Sequence, residues 1–266
     1  MIKKKKFHLS IYFLLRFIVV VTMIRQIMIQ NWSSVFICIL TLILFFIPSI
    51  FERRMGITLP KVLEAIILLF IFAAEILGEI MNFYGTVPHW DTMLHTVNGF
   101  LAAAIGFSLV DILNQNKRFT FKLSPLFVVL VGFCFSMTIG VMWEFIEFGA
   151  DQILNLDMQK DRVVQKISTV ELEPEGRNIP VVVDNIKRTE IYSLDESGQE
   201  IMTTIDGGYL DVGVIDTMKD LIVNFIGAII FSVFGFFYLK NREKYKFAGK
   251  FIPIKNDPVF IEEKSE

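Results

Sequence analysis

Long apolar runs alternate with short polar connections along this chain, and the length of the runs decides its class. A bilayer core about 30 Å thick needs about 20 mainly apolar residues in a helix. Six runs meet that requirement, at residues 9–28, 34–51, 62–83, 92–113, 126–148 and 218–239. Each is apolar all round, as in a membrane bundle, and backbone groups in lipid must be satisfied within the segment. All six are therefore expected to be transmembrane helices. One long polar stretch, 149–216, interrupts the pattern between the fifth and sixth runs. Branched residues recur in it at 163–172, 179–183, 186–194 and 200–205, with Asp195-Glu196-Ser197-Gly198-Gln199 as a hairpin turn between the last two. This stretch reads as a small β-rich appendage.

Composition agrees with the pattern. The chain is 53% hydrophobic, contains 27 Phe and has a mean hydropathy of +0.55, which excludes an ordinary soluble domain. Its two cysteines, Cys38 and Cys134, both lie in apolar runs, so neither a disulfide framework nor a CxxC metal motif is expected. The lysines Lys3 to Lys6 precede an apolar run, but Arg16 interrupts it and no small-residue cleavage pattern follows. A retained first span is expected instead of a signal peptide.

Charge orients the spans. Lys3 to Lys6, Arg53, Arg54, Lys61, Lys117, Arg118, Lys122, Lys240, Arg242, Lys244 and Lys246 flank one side, whereas the short connections 30–33 and 84–91 carry no Lys or Arg. The positive-inside rule then puts both termini in the cytoplasm and 149–216 outside. Trp32, Trp90 and Trp143 fall at outer ends of their spans, as interfacial aromatics do. The polar tail beyond Phe251 is expected to be disordered.

With that topology, the outer ends of four spans bring acids to one level. The third ends with Glu75 and Glu79, the fourth starts with Asp91 and His95, the fifth ends with Glu144 and Glu147, and the sixth starts with Asp216 and Asp220. Residues three or four apart share a helix face, so each pair points one way. Asp91 and Asp216 also suit helix starts, where an acid caps free N–H groups. His95, a turn further in, is not explained by capping. Glu75, Glu79, Glu144 and Glu147 sit at helix C-termini, where the dipole disfavours an acid, so protonation, a basic partner or a cation must offset them. Arg25 and Lys219 lie at the same depth and offer an ion-pair network, but the acids outnumber them. A carboxylate-rich site with one His suits Mg²⁺, Mn²⁺, Zn²⁺ or Fe²⁺. Arg16, midway through the first span, also requires a partner.

At these residues the chain resembles the YjdF-like family of uncharacterised bacterial inner-membrane proteins. Asp91, His95 and Gly99 match its Asp-x-x-x-His-x-x-x-Gly pattern, Glu144 and Glu147 its Glu-x-x-Glu, and Asp216 and Asp220 its Asp-x-x-x-Asp. Asp91, His95, Asp216, Asn224 and Gly227 resemble the VanZ-like group more loosely. The resemblance covers the last four spans, with Ile215 where an aromatic residue is expected. It implies an integral protein of the bacterial cell membrane with no established activity.

The expectation is an all-α polytopic membrane protein of six transmembrane helices, N-in/C-in, with a small β-rich extracytoplasmic insertion. Its parts are spans at 1–148, the loop at 149–216, the last span at 217–241 and a cytoplasmic tail at 242–266. A divalent metal ion held by Asp91, His95, Glu144, Glu147, Asp216 and Asp220 is expected, with Glu75, Glu79 and Asn224 supporting the ligands. Such a site would act on an envelope lipid or headgroup. A cation- or proton-coupled transporter and a non-catalytic protein with a structural polar cluster are the alternatives. Gathering of the acids at one face, away from the midplane, weighs against a carrier. The bilayer is the expected partner, and nucleic acid is not one.

Overall fold

The computed structural model describes residues 2–115, 122–155 and 157–255, apart from the side chains of residues 2–10, 55 and 154. Lys117, Arg118, the side chains of Lys3 to Lys6 and the tail beyond residue 255 lie outside the described residues. The helices are α1 (Ile2–Met28), α2 (Trp32–Leu44), α3 (Ile47–Met55), α4 (Lys61–Phe72), α5 (Phe83–Thr86), α6 (Trp90–Gln115), α7 (Pro125–Leu154) and α8 (Val214–Lys240). Local chemistry sets several of their ends. The Asn31 side chain accepts from the Ser34 N–H to cap α2, and Gly56 closes α3 in the left-handed conformation. Pro125 opens α7, where its missing N–H costs nothing.

Among the described residues, five helical stretches are long and apolar enough to cross a membrane: Ile11–Met28, Trp32–Arg54, Trp90–Gln115, Pro125–Ile153 and Val214–Lys240. The third expected span departs from the reading. Its α-helix stops at Phe72, a π-helix follows over Ala73–Ile80, and Asn82 turns the chain with a left-handed φ of 57°. Bonding from i to i+5 widens the turn and keeps Glu75 and Glu79, four residues apart, on one side of the helix. Glu75 is half-buried and Glu79 exposed.

The chain divides into two compact units. One comprises residues 1–141 and 220–266. In it Leu15, Val19, Cys38, Phe45 and Leu68 form one buried cluster, and Ala103, Phe107, Val128, Ala228 and Phe231 another. Phe13, Phe17, Ile222, Phe225 and Ile229 are exposed; water would penalise such surfaces and lipid does not. Arg16 finds aromatic partners, since its guanidinium lies 4.1 Å from the Tyr12 ring centre and 4.4 Å from that of Phe46.

The other unit, residues 142–219, holds the end of α7, the polar stretch and the beginning of α8. Arg188–Leu194 pairs antiparallel with Glu200–Asp206, and shorter pairs join Ile167–Thr169 to Val181–Val183 and Val163–Val164 to Tyr209–Leu210. The main hairpin turns where the sequence reading puts it. There the Asp195 carboxylate accepts from the N–H groups of Ser197 and Gln199.

Candidate functional site

The site is built on the crossing of α6 and α8. Two glycines let these helices touch: a Cβ on Gly99 would overlap the Asn224 carbonyl oxygen, and one on Gly227 would overlap that of Thr96. Backbones this close leave no room for water, so the polar atoms there must satisfy one another. The Asn98 amide donates to Asn224 Oδ1 at 3.2 Å, and the Asn224 amide donates to the Ser136 carbonyl on α7 at 3.4 Å. Ser136 closes the circuit by donating its hydroxyl to the Gly99 carbonyl at 2.8 Å. Asn224 is 0% exposed, and it ties three helices together.

One turn from that lock along each helix stand His95 on α6 and Asp220 on α8, both buried. Asp91 opens α6 a further turn away, with Oδ1 at 3.4 Å from His95 Nε2. Ligand atoms from Asp91, His95 and Asp220 all lie within 4.8 Å of one another. Two carboxylates and an imidazole converging at this range form a donor set that a divalent cation accepts.

The other expected site residues sit as follows. Asp216 is buried in the second unit and engaged by bases: its Oδ1 lies 3.2 Å from Arg162 Nη2 and 4.0 Å from Lys219 Nζ, and its Oδ2 accepts from the Lys160 N–H at 3.1 Å. Lys219 thus partners Asp216, as the ion-pair alternative expects, while Arg162 was not anticipated. Glu147 is buried and accepts from the Trp143 indole N–H at 2.7 Å, so this tryptophan serves an acid. Glu144 is buried on the same helix. Arg25 is exposed in the last turn of α1.

Sequence reasoning missed Asn98 and Ser136, whose only signal was being polar inside apolar runs. It also missed Asp111, buried near the end of α6. Arg242 Nη2 grips both Asp111 oxygens, at 2.7 and 2.9 Å, and Gln115 donates to Oδ2 at 2.8 Å.

The chain belongs to the family described as "Predicted membrane protein (DUF2238)", which matches residues 7–241. It is also similar to an uncharacterized protein of Thermotoga maritima, 28% identical over 109 residues, which are 41% of this chain and 54% of that protein. The match thus spans about half the length of this relative. No solved structure matches the chain.

Proposed function

We propose that this membrane protein holds a divalent cation between Asp91, His95 and Asp220. The observation that carries the reading is the convergence of these three donors within 4.8 Å at a helix crossing. A mixed imidazole and carboxylate set suits Zn²⁺, Mn²⁺ or Fe²⁺ better than an all-oxygen ion cage would. Three protein ligands leave coordination positions open for water or a substrate oxygen. A bound ion there supplies Lewis acidity and lowers the pKa of bound water. The chain's own part is to hold the donors: Asp91 and His95 present theirs from successive turns of α6, and the Asn224 network fixes the separation of α6 from α8. An oxygen-rich envelope lipid headgroup is the ligand class this reading favours. Glu144 and Glu147 belong to the other unit and are not assigned to the set, and Asp216 is assigned to its ion pairs.

The same proposal takes the chain as a six-span, N-in/C-in protein of a bacterial cell membrane, with the π-helical segment completing a third crossing and the site at the outer end. The support is the charge of the short loops and the YjdF-like motif set. Metal analysis of the purified protein, before and after chelation, tests the cation. A second reading, a purely structural lock, is favoured by the Asn98–Asn224–Ser136 circuit, which would hold the helices without any ion. Metal-free protein that loses no thermal stability on chelation would select it.

A further inference from the structure

The basic stretch that follows α8 folds back onto the body of its unit. Ala248, Ile252 and Pro253 are buried, and Ile254–Lys255 pairs antiparallel with Ile57–Thr58. The fold-back brings Lys246 and Lys250 opposite the first turn of α4, where Lys61 stands, and an open groove of about 540 Å³ lies between them. Arg242 and Glu243 line it too. Against these four cations stand three acids: Glu243, which pairs with Lys246 at 2.8 Å, Asp111, which holds Arg242 at 2.7 Å, and Glu64 in the same first turn of α4 as Lys61. The groove therefore keeps a positive excess.

Its position gives that excess a meaning. The apolar helix α8 ends at Lys240, and the apolar run of α4 begins directly after Lys61. In the six-span topology proposed above, on which this inference rests, both walls emerge from the hydrocarbon at the groove. Beside it Phe247 is 58% exposed, with Lys250 Nζ 5.1 Å from its ring centre. Cations and an exposed aromatic side by side match the layered chemistry of a bilayer surface, where headgroup phosphate overlies acyl chain. We propose that this groove seats the phosphate of an anionic phospholipid, with Lys61, Lys246 and Lys250 as the cations that hold it and Phe247 against the acyl boundary. A membrane lipid is favoured over a soluble phosphate because the spans hold the groove at the surface where headgroups are concentrated.

The test is native mass spectrometry of the full chain in detergent, titrated with phosphatidylglycerol or phosphatidylcholine, with and without inorganic phosphate. The wild type is expected to retain phosphatidylglycerol preferentially, with a preference that weakens as salt rises. Each cation near an anionic surface is worth roughly fivefold, so the triple variant K61Q/K246Q/K250Q should lose on the order of 10²-fold in that preference. Neutralising Lys166, Lys187 and Arg188 in the other unit should leave it unchanged. Should the triple variant not fold, the salt titration of the wild type still decides. Equal retention of the two lipids by the wild type, or an unaltered preference in the triple variant, would overturn the proposal. Full displacement by inorganic phosphate would overturn the assignment to a lipid.

Discussion

Gly99 on α6 and Asn224 on α8 meet backbone to backbone, with no space for even one methyl group between them. That contact sets the distance at which His95 and Asp220, one turn along, confront each other. Gly99→Ala must push α8 away or strain it, at roughly 1–3 kcal/mol for overpacking. A lowered melting temperature in detergent, measured alongside Gly149→Ala, checks this; nothing lies within 4 Å of a Cβ at Gly149, so that control should melt at or slightly above the wild type, as a helical Gly→Ala without a clash does.

Asn224→Leu keeps the volume and removes the amide. It strands the Asn98 side chain inside the crossing and costs roughly 1–3 kcal/mol for the buried group left without its bond. Thermal unfolding of this variant, of Asn98→Leu and of the double variant measures the coupling. Additive losses would mean that the two side chains do not act through each other.

Arg242 anchors Asp111 at the other end of α6. Removing the arginine leaves a buried carboxylate, and because Arg242 is itself 41% exposed the loss should fall at or below the lower end of the usual range, about 3 kcal/mol. Arg242→Ala should be markedly destabilised, and Asp111→Asn in the same chain should restore much of the loss. No rescue would show that the pair contributes nothing to stability.

These positions show what the sequence could and could not reveal. Apolar length alone located five of the spans, because lipid demands continuous helix and few residue types satisfy it. The hairpin was legible because Asp195 and Gly198 fit one kind of turn. Arg16 had its aromatic neighbour Tyr12 one turn away, but Phe46 comes from the turn between α2 and α3 and no periodicity announces it. The Asp111–Arg242 pair spans 131 residues, and Arg162 reaches Asp216 across 54; ion pairs that distant leave no local pattern. At Glu75 and Glu79 the reading assumed an α-helix, where the structure has a π-helix. Asp91, His95 and Asp220 emerged as candidates from chemistry, and their convergence needed the glycine crossing.

The hairpin carries a pH dependence. The Ser197 hydroxyl, with the N–H groups of Gln199, Ser197 and Gly198, holds the Asp195 carboxyl below its ordinary value. A depressed folded-state pKa stabilises the turn above the ordinary carboxylate range and ceases to do so as pH falls through the lowered value. Protection against amide exchange across 188–206, taken relative to the intrinsic rate at each pH, should therefore fall in acid, and Asp195→Ala should show the lowered protection already at neutral pH. Exchange that is unaffected by the substitution would refute the role given to Asp195.

The proposed orientation has its own check. In a chain lacking Cys38 and Cys134, a cysteine at Ser197 should react with an impermeant thiol reagent in intact cells, and one at Lys244 should not. Reversed labelling would place the acids of α6 and α8 at the inner face.

The central claim is the cation held by Asp91, His95 and Asp220, and the metal-to-protein ratio of purified variants tests it most directly. The wild type, reloaded with Zn²⁺ or Mn²⁺ after chelation and then freed of excess, should retain close to one equivalent. His95→Ala and Asp220→Asn should each lose most of it, while Asp216→Asn, which alters the contacts to Arg162, Lys219 and the Lys160 N–H, should keep it. Equal metal content in the wild type, His95→Ala and Asp220→Asn would contradict the account.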